Sequence, residues 1–221
     1  MRRAGRMTAA QTRAITELWP RYGIEPPQER LDLDALFGRH AARVAEIGFG
    51  NGDALAELAA RHADTDFLGI EVHEPGVGHL LLALEKQDLP NVRVACRDAM
   101  EVLEAWLPDA CLNRVNLFFP DPWPKKRHHK RRLVQPVFLT HLARVMVTGA
   151  VLHMATDWSA YADHMRAVTD PCPWFDSLET DDEFSARTGE RPETRFERRG
   201  RGLGHGVTDL LFRRNERPVS S

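Results

Sequence analysis

Five times along this chain an apolar run short enough for a strand is followed by a segment with helical spacing. That alternation restricts the fold more than any other feature of the 221 residues. RVAEIGF (43–49) precedes DALAELAARH (53–62), DFLGIEV (66–72) precedes GVGHLLLALEKQ (76–87), and VRVACRD (92–98) precedes AMEVLEAWL (99–107). NRVNLFF (113–119) is followed, after a basic loop, by RLVQPVFLTHLARVM (132–146), and AVLHMATD (150–157) by SAYADHMRAV (159–168). Strands this continuously apolar are buried on both faces, so the pattern predicts an α/β chain with a mostly parallel, doubly wound sheet covered by helices. Pro136 predicts a helix that starts or kinks there. Residues 170–193, rich in Pro, Asp and Glu, read as a long connection. TRFERRG (194–200) and DLLFRR (209–214) have no helix between them and predict a C-terminal antiparallel hairpin. Residues 1–30 read as a partly flexible N-terminal arm and 31–221 as a single domain.

Composition narrows the class. A chain with 43% hydrophobic and 28% charged residues is neither disordered nor fibrous. No stretch approaches the ~18 apolar residues of a membrane span, and the first twenty residues lack a secretory core. Cys96, Cys111 and Cys172 are far apart and form no C-x-x-C pair, so they read as reduced thiols of a cytoplasmic protein. His73, His153 and His205 have no ligand spacing, and no metal is expected. Charge is informative through its placement. The formal net charge is −2, yet residues 125–132 read KKRHHKRR; removing that run's six Lys/Arg leaves −8 on the rest of the chain. A concentration this local predicts a polyanion contact.

The segment EIGFGNGD (46–53) follows the first strand and opens a helix. Its glycines, Gly48, Gly50 and Gly52, let backbone approach a ligand closely. A dinucleotide fingerprint would need a small residue at Asp53, so G-x-G-x-G fits an adenosine with a short zwitterionic tail better than a pyrophosphate. Glu71 ends the second strand, where a carboxylate can accept from both ribose hydroxyls, and Asp98 ends the third, where it can accept from an adenine amino group. With Glu46 near the end of the first strand, these acids line the carboxyl edge and predict an S-adenosylmethionine site. In NLFFPDPWPKKRHHKRR (116–132), Pro120, Pro122 and Pro124 stiffen a turn that holds Asp121 and Trp123. The basic run begins at once and would grip phosphates beside the chemistry, positioning a nucleic acid without reading its sequence.

At these residues the chain resembles the tRNA (guanine-N7)-methyltransferase family. The resemblance rests on EIGFGNGDALAELA, GIEVHEPGVGHLL, NLFFPDPWPKKRHHKRRLVQP, HMATDWSAYADHM and TRFERRGRGLGHGVTDLLF, in that order over about 43–215. It implies a Rossmann-like class I methyltransferase fold and transfer of the S-adenosylmethionine methyl to N7 of guanosine 46 in the variable loop of tRNA. It also implies cofactor contacts from Glu46, Glu71, Asp98 and Asp121, with Asp121 catalytic. Lys125, Asp157 and the segment Thr194, Arg195, Phe196 and Glu197 would meet the substrate. Arg127, His128, His129, Lys130, Arg131 and Arg132 would meet the RNA backbone. The family often has His at the place of Pro124 and Lys at that of Arg195.

The chemistry agrees with these residue types. Guanine N7 already presents a lone pair, so no base need deprotonate it. A carboxylate such as Asp121 favours the cationic product ring. Three other classes compete: an exocyclic-amine RNA methyltransferase, whose loop order is N/D-P-P-aromatic; a non-catalytic RNA-binding module, which has no use for the four acids; and a nicotinamide oxidoreductase, which Asp53 disfavours. No obligatory protein partner is evident, and a monomer or a homodimer is expected.

Overall fold

The computed structural model describes residues 7–179, 191, 192, 197 and 206–219. The chain forms two compact units, residues 1–108 and 109–221.

In the first unit, β1 (Ala42–Ile47), β2 (Thr65–Ile70) and β3 (Val92–Ala95) pair in parallel in the order β3-β2-β1. Between them lie α3 (Asp53–Arg61) and α4 (Glu74–Gln87). After β3 come a single helical turn, α5 (Ala99–Glu101), and a wider π turn over Val102–Trp106, where the sequence predicts one continuous helix. Five of the six residues of β2 are buried, as a strand covered on both faces requires. The core gathers Leu55, Phe67, Leu80, Leu81, Leu84 and Val94.

Residues 9–22, expected within an arm, instead form a helix, α1 (Ala9–Tyr22). Thr8 caps it: its hydroxyl accepts from the Gln11 amide, and the Gln11 side chain accepts from the Thr8 amide at 2.8 Å. Ala14 and Tyr22 are buried, and Ile15, Leu18 and Trp19 pack on the same core, the i, i+4 face of an amphipathic helix. The Gln11 side-chain amide donates to the Pro75 carbonyl at 3.0 Å, which fixes α1 against α4. Beyond α1, Ile24 N–H donates to the Val94 carbonyl and covers the β3 edge. A short helix α2 (Leu33–Phe37) follows, capped by Asp32.

In the second unit the strand order is β4-β5-β7-β6. β4 (Leu112–Phe118) and β5 (Met146–Thr156) are parallel, with Asn116 opposite His153. Helix α6 (Pro136–Val145) starts at Pro136, and α7 (Ser159–Thr169) follows β5. The C-terminal β7 (Thr208–Arg214) runs antiparallel to β5. Its other partner is β6 (Phe175–Ser177), three residues within the expected connection. Of the expected strand 194–200, all but Glu197 lies outside the described residues, so the partners seen for β7 are β5 and β6.

One face of β4 and β5 is polar although buried. Arg114 donates to the Asn116 side-chain oxygen and to His153 Nδ1, both at 2.9 Å. Arginine accepts nothing, so Nδ1 carries no proton and His153 is neutral with its hydrogen on Nε2. That hydrogen goes to Asp209 Oδ1 at 2.7 Å. His153 is wholly buried, and burial pushes its pKa below the ordinary 6.5, with Arg114 acting in the same direction. Burial opposes ionisation of Asp209, but its bonds to His153 and Arg191 prevail and hold it below the usual carboxylate value.

A histidine kept neutral in the fold is protonated more readily when unfolded. Stability is therefore complete above pH 6.5 and falls as pH drops toward the folded-state pKa. Asp209 adds its loss only at lower pH. We expect the urea midpoint to fall between pH 7.5 and 5.5, with His153 contributing at most about 1.4 kcal/mol per pH unit. His153→Gln should weaken the protein at neutral pH and flatten that slope. An unchanged slope would show that His153 does not titrate on unfolding.

Candidate active site

The first unit presents the glycine loop and the acids Glu46, Glu71 and Asp98 on the carboxyl edge of its parallel strands. Gly48, Gly50 and Gly52 all have positive φ, at 70°, 60° and 79°. This left-handed backbone is strained for a residue with a Cβ. A Cβ on Gly48 would meet nothing within 4 Å, so a ligand can come directly to its backbone. A Cβ on Gly76 would fall 2.0 Å from the Gly50 carbonyl oxygen, so glycine there is what lets α4 seat against the loop.

Glu71 ties this loop to the end of β2. One carboxylate oxygen accepts from Gly50 N–H at 2.9 Å; the other accepts from Val72 N–H at 2.7 Å and His73 N–H at 2.9 Å. Three of about four acceptor positions are thus engaged, and the carboxylate is fixed in place, half-buried, beside an exposed Val72. Asp98 is exposed and caps α5 through the Met100 amide at 2.9 Å. Glu46 is 3% exposed, a carboxylate buried at the end of β1. Glycines open to a ligand backbone-first, a fixed carboxylate and a capping acid suit the adenosine and amino-acid ends of S-adenosylmethionine.

The second unit presents its polar residues just past the ends of β4 and β5. β4 ends at Phe118, and the next turn is bracketed by two left-handed residues, Phe119 (φ 53°) and Trp123 (φ 43°). Neither is glycine, so each costs about 1–3 kcal/mol of backbone strain, a cost concentrated in proteins at functional sites. Asp121 sits half-buried between them. Asp157 lies just past β5, half-buried, in a turn where the Trp158 amide donates to the Thr156 hydroxyl at 3.2 Å.

The basic run is a 3-10 turn, Lys126–Arg131, which starts one residue after Lys125. Lys125, Lys126, Arg127, Lys130 and Arg131 are exposed, and His128 and His129 are half-buried. Trp123 packs under the turn: the His128 ring meets it edge-on at 5.8 Å and the Arg131 guanidinium lies 5.1 Å over it. Arg132 departs from the expected backbone-binding run. It is 3% exposed, its Nε donates to the Pro122 carbonyl at 2.9 Å, and its guanidinium stacks 4.9 Å from the Tyr161 ring centre. A cation enclosed between a carbonyl and an aromatic face is not presented to a phosphate.

Of the C-terminal motif, Thr194, Arg195 and Phe196 lie outside the described residues. Glu197 is buried and held by Arg191, at 2.6 Å to Nη1 and 3.3 Å to Nη2. Arg191 also donates to Asp209 at 2.9 Å and lies 5.6 Å over both Phe118 and Phe119. Burial works against its charge, but the two carboxylates more than offset that and raise its pKa. Sequence reasoning passed over Arg191, Arg114 and Asp209. The available signal was polar residues at alternate positions of strands, Arg114 and Asn116 on β4, and a lone His153 in an apolar run.

Among the described residues, no group of His, Cys, Asp or Glu gathers that could hold a metal ion. No helix among them is long and apolar enough to cross a membrane.

Residues 40–210 match a family model described as "Putative methyltransferase". A tRNA (guanine-N(7)-)-methyltransferase of Alkalilimnicola ehrlichii is 56% identical over 99% of this chain and 92% of its own. One of Alcanivorax borkumensis is 54% identical over 95% and 88%, and one of Pseudomonas aeruginosa 55% over 96% and 87%. Among solved structures, the 16S rRNA methyltransferase KamB aligns with a TM-score of 0.58 at 16% identity, over 88% of this chain and 99% of that one. The 16S rRNA (adenine(1408)-N(1))-methyltransferase of Catenulisporales acidiphilia aligns at 0.59 with 15% identity, over 89% and 98%. At such identities these structures speak to the fold alone, a Rossmann-like class I methyltransferase fold. With relatives this similar over nearly its whole length, the chain belongs to the tRNA (guanine-N7)-methyltransferase family.

Proposed function

We propose that this chain transfers a methyl group from S-adenosylmethionine to N7 of guanosine 46 in the variable loop of tRNA. The observation that carries the reading is the continuity, within one loop, of Asp121 on a strained turn with the exposed cations of the 3-10 turn. S-adenosylmethionine, when bound, supplies an electrophilic methyl group on a sulfonium. In this reading the Gly48, Gly50 and Gly52 backbone and Glu46 receive the amino-acid end, Glu71 accepts from the ribose and Asp98 from the adenine. Asp121 contacts the cofactor and favours the positive charge that develops on the guanine ring. Lys125, Asp157 and the Thr194–Glu197 segment orient the base, and Arg127, His128, His129, Lys130 and Arg131 hold phosphates. No residue need take a proton from N7. Acceleration then comes from alignment and from a fixed charge.

Bulk tRNA incubated with methyl-labelled S-adenosylmethionine and the protein, then digested to nucleosides, should yield labelled 7-methylguanosine. A tRNA with adenosine at position 46 should yield none. Label in an exocyclic amine, or none in wild-type tRNA, would overturn the reading.

Three substitutions separate the roles. Asp121→Ala should slow single-turnover methyl transfer by about 10²–10³ while tRNA binding persists; a rate within a few-fold of wild type would remove Asp121 from the chemistry. Glu71→Ala should weaken S-adenosylhomocysteine binding by about ten- to a hundredfold, through lost charge-assisted bonds and a loosened glycine loop. Calorimetry measures it, and unchanged affinity would place the adenosine elsewhere. Replacing Arg127, Lys130 and Arg131 together by Ala should flatten the slope of log K for tRNA against log salt by about 2 to 3, at ~0.7–0.9 per phosphate. The loss should be equal for methylated and unmethylated tRNA species, because phosphate contacts carry no sequence information.

A further inference from the structure

Arg132 ends the basic run in sequence but not in space. Lys125, Lys126, Arg127, Lys130 and Arg131 present exposed cations, whereas Arg132 is 3% exposed and turned under the Pro-rich turn. Its Nε donates to the Pro122 carbonyl at 2.9 Å, and its guanidinium lies 4.9 Å from the centre of the Tyr161 ring on α7. Its own amide donates to the His129 carbonyl at 3.0 Å and closes the 3-10 turn. One residue therefore joins three parts: the turn that carries Asp121, the cationic turn, and α7.

The need for such a residue follows from the turn's composition. Pro120, Pro122 and Pro124 have no amide hydrogen, so three of the five residues from 120 to 124 cannot donate a backbone hydrogen bond. A turn so poor in donors, with left-handed residues at both ends, must be held by donors from elsewhere. Arg132 supplies one directly to the residue after Asp121. Folding gains little in return, because one terminal nitrogen of the Arg132 guanidinium is buried without a hydrogen-bond partner among the described residues. The face of Tyr161 is well suited to a cation, and its hydroxyl is held protonated: burial pushes the phenol up to about 12, and the charge of Asp121 acts in the same direction.

We propose that Arg132 is a positioning residue for methyl transfer, a tether that fixes the Asp121 turn against α7, and that it is not one of the RNA-binding cations. The proposal rests on the reading of Asp121 as the catalytic carboxylate. Displacement of a reacting group by about 1 Å costs on the order of 10²-fold in rate, so loss of the tether falls on kcat.

The test compares Arg132→Met, Arg132→Lys, Lys130→Ala, Asp121→Ala and the double variant Asp121→Ala/Arg132→Met. Active sites are counted by S-adenosylhomocysteine titration, so that misfolded protein does not enter the rates. Arg132→Met should lower kcat by about 10- to 100-fold, with KM for tRNA within about twofold and the salt slope of binding unchanged. Arg132→Lys, which keeps a donor and the charge but not the planar stack, should recover part of that loss. Lys130→Ala, at an exposed cation of the same turn, should do the reverse, raising KM and flattening the slope by about one phosphate's worth. In the Asp121→Ala background, Arg132→Met should cost less than about threefold, because there is no longer a carboxylate to place. If Arg132→Met raises KM and flattens the slope as Lys130→Ala does, Arg132 is an RNA contact and the proposal fails. It also fails if kcat is unchanged, or if the Arg132→Met loss is the same with and without Asp121. A wild-type rate for Asp121→Ala would instead sink the catalytic reading of Asp121, a separate failure.

Discussion

Parallel pairing sends neighbouring strands in one direction and so gathers the loops that follow them at one edge. In the first unit, the glycine loop, Glu71 and Asp98 all follow the ends of β1, β2 and β3. In the second, Asp121 and Asp157 follow the ends of β4 and β5. The β1–β2 register runs unbroken from Ala42 opposite Thr65 to Ile47 opposite Ile70, and so fixes where each strand ends. Side-chain positions that matter for chemistry are therefore consequences of backbone hydrogen bonding several residues away. Glu71 extends the same logic past the strand: with Gly50, Val72 and His73 all donating to it, its carboxylate fixes the loop to the end of β2.

Much of this is legible in the sequence, and the reason is local. Strand-to-helix alternation, the G-x-G-x-G spacing and acids near strand ends are properties of short segments, and they appear where the pattern places them, except that 99–107 breaks into α5 and a π turn. The helix at Pro136 starts there because proline suits a first turn, where its missing amide costs nothing. What is not legible depends on partners distant in sequence. Arg132 reads like its five cationic neighbours, and only Tyr161 and the Pro122 carbonyl distinguish it. β6 is three residues long, too short for any period to register, and exists because β7 offers it an edge. Helix α1 carried a readable signal, the Thr8–Gln11 cap followed by apolar residues at helical spacing, but its fourteen residues would be marginal alone and are held by α4.

The two turns of interest are stabilised in different ways. The glycine loop adopts left-handed backbone at residues that accept it readily, and Gly48, Gly50 and Gly52 each donate one hydrogen bond, to the Ile70 carbonyl, the Glu71 carboxylate and the Phe49 carbonyl. The turn around Asp121 adopts left-handed backbone at Phe119 and Trp123, residues that resist it, and relies on its surroundings: Phe119 N–H reaches the Ala155 carbonyl at 2.8 Å, Arg191 covers the Phe119 ring, and Arg131 and His128 cover Trp123.

The polar cluster of the second unit also bears on how the protein looks to a distant polyanion. Arg114 and Arg191 bring two positive charges, Asp209 and Glu197 two negative ones, and His153 is neutral. The cluster thus cancels itself, and beyond about 8–10 Å, the Debye length near physiological salt, it contributes almost nothing to the outer potential. Unlike this cluster, the exposed cations of 125–131 carry charge that is not cancelled within the run itself. A polyanion near that turn would feel those cations at a distance, before any short-range contact forms, and would not feel the buried cluster.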